Sequence, residues 1–443
     1  MSNVTLVVLL LSTVAYADEA DRDPELAPMA PAAHTITSAE DFAARVLRGN
    51  ADVAVTHAEI ERVRGVARQA LAQLLPNLSA TANAQYMQPS NVTFSSSTAT
   101  TAGGLDVTTT SFIASGSVSL SQSLVSPRDW YAQGTNRRAI ASAEASAQDR
   151  VRTTLMQAAE DAIAERSAAR SADVSRVGLR SALEVVKLTA RKVELGDAAP
   201  LDLVRTEQDV ESARALVISA DEALRKARET VGLVLGSTQP VGFDDSLPIA
   251  SIEVAMTQRC SARPAADRPD VVAAKTETEI ARRKLRDTKL AYLPSLGLSS
   301  QLSASTNAML GQNWSFNLVA TLSVPIWDGG AREGATRSAT ASLAQKAAQL
   351  GAVERAATVQ QTQTSRGVQV ATAARTVSER NRTLAAKVAK MTRTAFAEGS
   401  GTTFDLVEAA RKAREAELDL VGKEYDLVRA NIDARLAAST CSR

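Results

Sequence analysis

Histidine, cysteine and aromatic residues are scarce in this 443-residue chain, and it has no excess of charge of either sign. An all-protein His/Cys metal cage would have to take both His and both Cys at once, and none is expected. His34 and His57 both lie near the N-terminus, so no Ser/His or Cys/His pair has a base, and no catalytic residue is assigned. Nor is there a Gly-rich loop ending in Lys-Ser/Thr that would cradle a nucleotide, and no cofactor is implied. Lys and Arg number 50 against 49 Asp and Glu, a formal net charge of +1 that argues against a nucleic-acid partner. Beyond Pro31 no stretch approaches 18 consecutive apolar residues, so the chain offers no transmembrane helix. Any crossing of a membrane must therefore be made by β-structure. Proline is missing from Arg128 to Ala199 and from the 118 residues after Pro325, which leaves room for very long helices.

What is present begins with an apolar run, Val4–Val14, followed by Ala15-Tyr16-Ala17. That is the form of a signal peptide over 1–17, although its first residues carry no Lys or Arg; a buried N-terminal helix is the alternative. Residues 18–37 are Pro-, Ala- and acid-rich and read as a flexible N-terminal segment. Cys260 and Cys441 would both be oxidisable after export, and a bridge between them and two separate thiols both remain open.

The strongest signal is internal duplication. Leu74-Leu75-Pro76-Asn77-Leu78 recurs as Tyr292-Leu293-Pro294-Ser295-Leu296. The segment Glu194–Val204, with Gly196 and Asp202-Leu203-Val204, recurs as Ala397–Val407, with Gly399 and Asp405-Leu406-Val407. A first repeat is expected over 38–245, an inter-repeat linker over 246–270, a second repeat over 271–437 and a tail over 438–443. Each repeat reads as helix, two strands, long helix, Gly turn and helix. A first helix should run from the Ser38 cap to Leu75. A continuous helix from about Arg128 to Leu195 would be roughly 100 Å long, and only lateral partners could support it.

Four segments alternate with period two: 77–88, 112–125, 295–304 and 314–326. Leu78, Ala80, Ala82, Ala84 and Tyr86 share one face of the first, with Asn77, Ser79, Thr81, Asn83 and Gln85 opposite. Trp314, Phe316, Leu318, Ala320, Leu322, Val324 and Ile326 share a face of the last. Nine of the fifteen aromatics sit in these segments or at their ends, as interfacial girdles require. Ten-residue alternation fits a transmembrane strand, and an ordinary half-buried strand is the alternative. Four strands cannot close a barrel, so the barrel must be shared among chains, and a face of Ser, Thr and Asn asks for a wide, wet lumen.

Taken with the duplication, Asp267-Arg268-Pro269-Asp270, Tyr292–Leu296 and Leu322-Ser323-Val324-Pro325-Ile326-Trp327-Asp328-Gly329-Gly330 form a recognisable set. The chain resembles the TolC-like outer membrane efflux protein family over essentially its whole mature length. The resemblance implies an α+β membrane protein. Three chains, each giving four strands, would close one 12-stranded transmembrane barrel, continued by a long α-helical coiled-coil tube in the periplasm. It implies a homotrimer in outer-membrane lipid that works with a periplasmic adaptor protein and an inner-membrane transporter. By position it places a periplasmic aperture at Asp405 and Glu408. Adaptor-docking tips would fall at Gly196, Asp197, Ala198, Gly399, Ser400, Gly401 and Thr402. Gly401 stands where an arginine is frequent in the family, and Phe396 lacks the hydroxyl of the usual tyrosine, so the usual Arg and Tyr latch is not expected. The implied activity is a passive exit duct for efflux or secretion, a type I protein secretion channel among its forms. Readings of another class are an adhesive trimeric coiled coil and a soluble periplasmic coiled-coil adaptor.

Overall fold

The computed structural model describes residues 23–86, 112–258, 260–306 and 314–441; the expected signal peptide and the connection around 89–111 lie outside them. The elements run β1 (His34–Ile36), α1 (Ala39–Gly49), α2 (Ala51–Ala72), β2 (Asn77–Tyr86), β3 (Phe112–Val125), α3 (Pro127–Glu194) and α4 (Pro200–Val234). They continue with β4 (Val241–Phe243), α5 (Ile249–Thr257), β5 (Cys260–Ala262), α6 (Pro269–Leu290), β6 (Ser295–Ser305), β7 (Trp314–Ser323), α7 (Ala331–Ala397), α8 (Thr403–Ala437) and β8 (Ser439–Cys441). No helix among the described residues is long and apolar enough to cross a membrane.

The chain divides into two compact units. One comprises Glu59–Glu144 and Ala273–Gly351 and holds a four-stranded antiparallel sheet in the order β2-β3-β6-β7. Its register stacks like on like. Leu78 pairs Leu120, Ala80 pairs Val118 and Tyr86 pairs Phe112, while Leu302 lies between Val118 and Phe316. On the other face Ser79 and Ser119 are joined at 2.7 Å, Thr81 and Ser117 at 2.9 Å, and Ser303 and Ser315 at 2.7 Å. No strand of this sheet carries a charged residue. Strand β7 stops at Ser323, short of the 326 expected from alternation. Pro325 has no N–H to continue a ladder, and Gly329 and Gly330 then take φ of +67° and +92° to turn the chain. Asp328 accepts from the Gly330 and Arg332 backbone N–H groups, which caps α7. The Arg332 guanidinium in turn bonds Asp328 at 2.6 Å and lies 4.4 Å from the Tyr292 ring centroid. Two family-like motifs, Tyr292–Leu296 and Leu322–Gly330, thus meet at one corner.

The other unit comprises Met1–Ala58, Ala145–Val272 and Ala352–Arg443. Its core gathers Phe42 and Val46 of α1, Leu155 and Ile163 of α3, Phe243 of β4, Ile252 and Met256 of α5, and Ile432 and Leu436 of α8. Phe42 and Phe243 meet edge to face at 5.0 Å, a geometry that adds about 0.5–1.5 kcal/mol to their burial.

Here the structure corrects several expectations. The first helix is broken at Asn50, whose side-chain amide donates to the Val234 carbonyl while its Oδ1 caps Asp52. Gly49 must stay bare, since a Cβ there would meet the Leu235 carbonyl oxygen at 2.4 Å. Residues 23–37, expected to be flexible, are strapped to the helices. Arg214 holds Asp23 at 2.7 Å and Glu25 at 2.9 Å, Arg176 and Arg228 donate to the Ala27 and Ala30 carbonyls, and β1 pairs in parallel with β4. The segment 246–270, expected to be a linker, contains α5 and β5, and the segment 438–443, expected to be a tail, contains β8. Strands β5 and β8 pair antiparallel, and Cys260 and Cys441 are joined by a disulfide across 181 residues. Hydrogen bonding of only three residue pairs makes a weak ladder, so the covalent link dominates this contact. Replacing both cysteines by serine should lower stability by about 2–4 kcal/mol. Urea unfolding of the oxidised protein and the double variant checks this, and coincident curves would refute it.

Candidate functional site

The described sheet has one apolar face, one hydroxyl- and amide-lined face and two free edges, β2 and β7. Its apolar face is open: Leu78, Trp314, Phe316, Leu318 and Leu322 are all more than half exposed. In water such a surface would cost about 25 cal/mol per Å2, which an apolar environment removes.

At the C-terminal ends of α3 and α7 the two Gly turns have the same construction. Gly196 has φ +80°, its N–H bonds the Val193 carbonyl at 3.0 Å, and the Asp197 N–H bonds Lys192 at 2.8 Å. Gly399 has φ +82°, with the corresponding bonds to Phe396 at 3.2 Å and from Ser400 to Ala395 at 2.9 Å. Both are Schellman caps that require a left-handed residue. After the first turn Pro200 opens α4, and Asp202 reaches back to the Ala199 N–H at 3.4 Å. After the second, Thr402 caps α8 by accepting from the Asp405 N–H at 3.1 Å. Ala198 lies in the first turn. Gly401 lies in the second, where a Cβ would come within 3.0 Å of the Phe396 nitrogen.

Asp405 and Glu408 share the first turns of α8, and each has a local partner. The Thr402 hydroxyl donates to Asp405 at 2.6 Å. Glu408 is held by Arg411 at 2.7 Å and by Lys412 at 3.4 Å, and the Arg411 hydrogen bond keeps its carboxyl below the usual range. Phe396 is buried with Val185 and Leu406, and Lys192 lies 4.4 Å from its ring centroid while donating to its carbonyl. The missing hydroxyl is thus matched by a packing and cation–π contact within one chain.

Three features escaped sequence reading. Arg414, largely covered, pairs with buried Asp209 at 2.5 Å between α8 and α4. Arg268 forks onto Asp270 at 2.6 and 2.7 Å and also donates to Gln360, so Arg-Pro-Asp ties the start of α6 to α7. On α7, Val370, Val377, Leu384 and Met391 are 67, 66, 63 and 63% exposed. Their seven-residue spacing was readable as a heptad, but nothing in the sequence said that their own chain leaves them uncovered.

The sheet is charge-free and amphipathic with two open edges, and helices α3 and α7 run 68 and 67 residues. The outer membrane efflux protein family model matches residues 43–237 and 263–439. The chain belongs to that family and is an outer-membrane protein. The alkaline protease secretion protein AprF of Pseudomonas aeruginosa is 26% identical over 176 residues, 38% of this chain. That match spans only 37% of AprF. Among solved structures the fold is shared with CusC (TM-score 0.77, 15% identity, 93% of this chain and 95% of that one). It is shared also with VceC of Vibrio cholerae (0.72, 16%, 90% and 96%) and MtrE of Neisseria gonorrhoeae (0.72, 16%, 90% and 88%).

Proposed function

We propose that the chain forms a homotrimeric exit duct that conducts substrates passively out through the outer membrane. The observation that carries this reading is the sheet. Two edges with unpaired backbone groups cannot face lipid, because each unsatisfied group costs several kcal/mol there. Pairing β7 of one chain with β2 of the next, three times over, closes a barrel of twelve strands with its apolar face outward. The uncovered stripe on α7 supports the same assembly, since a second chain would bury it. The two matching Schellman turns support the duplicated plan, with repeats over 38–245 and 271–437. Energy would come from an inner-membrane transporter engaged through a periplasmic adaptor, which would dock at Gly196–Ala198 and Gly399–Thr402. The AprF likeness favours secretion of a protein substrate as one use of the duct.

Threefold symmetry would bring Asp405 and Glu408 of three chains to one axis and narrow the duct there. Since the strands contribute no charge, selection by charge would fall to this ring. Single-channel recording should show cation selectivity in the wild type that is lost, with wider conductance, in Asp405→Ala/Glu408→Ala. Selectivity that survives the double change would leave the two carboxylates with helix capping alone, an effect of about 0.3–1 kcal/mol each.

A further inference from the structure

The net charge of +1 conceals one steep local excess. Where the strands meet the helices, residues 65–76, 126–138, 280–294 and 324–340 together carry eleven Lys and Arg against four Asp and Glu. The densest part is the end of α6, where Arg282, Arg283, Lys284, Arg286 and Lys289 surround a single acid, Asp287. Asp287 pairs with Arg128, and Arg283 donates to the Thr135 hydroxyl and the Tyr131 carbonyl. Arg282, Arg286 and Lys289, at i, i+4 and i+7, share one exposed face and make no ion pair among the described residues. Arg286 has only the Tyr131 ring, at 5.7 Å. Compensation of the helix dipole asks for charge in the last turn, which Lys289 supplies, and does not account for Arg282 and Arg286.

Helix α6 touches α3 through Glu279, Arg283 and Asp287, and α7 through Glu277, Thr278 and Thr288. The basic face lies between those two sides. The Thr306 N–H bonds the Ala114 carbonyl at 2.9 Å, so the apolar residues of β6, in phase with Thr306, aim their N–H groups at β3. For L-residues this puts β3 to the right of a rising β6 seen from the apolar face. Because α3 follows β3 and α7 follows β7, the right-handed winding of α6 turns Arg282, Arg286 and Lys289 toward the same viewer. The basic face therefore continues the apolar face of the sheet. Trp130, Tyr292 and Trp327, each half or more exposed, stand at the junction, as aromatic residues do at a membrane–water boundary.

We propose that this belt binds anionic glycerophospholipids in the leaflet on the helix side of the sheet. The Arg282 and Arg286 guanidinium groups donate to phosphodiester oxygens, and Lys289 adds a point charge. Arg282 lies roughly 10 Å below Lys289 along the helix, and its long stem lets the guanidinium reach up to the head groups. Charge selects the lipid class, since a zwitterionic head group brings a cation of its own to the same face. A basic cluster beside a membrane-spanning element gains about 1 kcal/mol per Lys or Arg from an anionic surface. The belt rests on the reading that the apolar face of the sheet meets lipid.

The test uses the three tryptophans of the full-length protein in vesicles of equimolar phosphatidylglycerol and phosphatidylcholine. One lipid or the other carries bromine, a quencher of indole fluorescence, on its acyl chains. Trp314→Phe leaves Trp130 and Trp327 at the junction, whereas Trp130→Phe/Trp327→Phe leaves Trp314 at the opposite end of β7. Brominated phosphatidylglycerol should quench the junction tryptophans more, reporting a roughly three- to tenfold local enrichment, while Trp314 is quenched equally by both lipids. Arg282→Ala/Arg286→Ala/Lys289→Ala, all on exposed positions, should equalise quenching at the junction, and so should salt at about 1 M. Arg282→Lys/Arg286→Lys keeps the charge and should keep the preference. Equal quenching at the junction of the unaltered belt, a preference as large at Trp314, or one that survives the triple change would overturn the proposal. Absence of any quenching of Trp314 by either lipid would overturn the barrel reading, and the belt with it.

Discussion

Val377→Asp/Leu384→Asp will leave the detergent-extracted protein monomeric and without conductance. Both side chains are about two-thirds exposed on one chain, on a stripe with the period of a coiled-coil seam. Covering a Val or Leu is worth about 1.5–3 kcal/mol, and three interfaces repeat the loss. Placing a carboxylate at each position adds the cost of burying an unpaired charge. Light scattering of the solubilised protein reads the mass directly. A double variant that stays trimeric would mean that the stripe faces something other than a second chain.

Arg268→Ala will lower stability by about 3–5 kcal/mol at neutral pH, because it strands a mostly buried carboxylate. The Arg268 side chain is 5% exposed and supplies three donors at 2.6–2.8 Å to Asp270 and Gln360. Burial pushes the Asp270 carboxyl up, yet the hydrogen bond and charge of Arg268 outweigh it and hold the group below its ordinary value. A depressed folded pKa contributes stability that is present above the unfolded value, near 3.9, and lost as pH falls through the folded one. In the variant only the Val271 N–H and the charge of Arg152 still oppose burial, so much of that stabilisation is lost. The gap between the two proteins should therefore be full at pH 7 and narrow below about pH 4. Urea midpoints across that range measure it, and a constant gap would separate the destabilisation from Asp270.

The strands and long helices were legible because their periodicities are local. Phe112–Val125 alternates with only Gln122 breaking the apolar face and forms a strand of those bounds, while Pro325 and the two following glycines end β7 early. The strap and the small sheets were not legible. Asp23, Glu25 and Arg214 sit 191 and 189 positions apart, and three-residue strands carry no usable period. The Cys pairing was open for the same reason, since only the β5–β8 contact brings residues 260 and 441 together. At the tip, the positions of Asp405 and Glu408 could be read from the repeat, but not the Arg411 and Lys412 contacts that hold Glu408 within its own chain. The Arg414–Asp209 pair needed the fold itself: it joins helices more than two hundred residues apart.

Planar-bilayer recording of the detergent-extracted protein, run beside unheated and heated electrophoresis, tests the duct most directly. The account predicts a heat-modifiable trimer that inserts and conducts in discrete ohmic steps. A protein that is water-soluble and monomeric, or a trimer that never conducts, would contradict it.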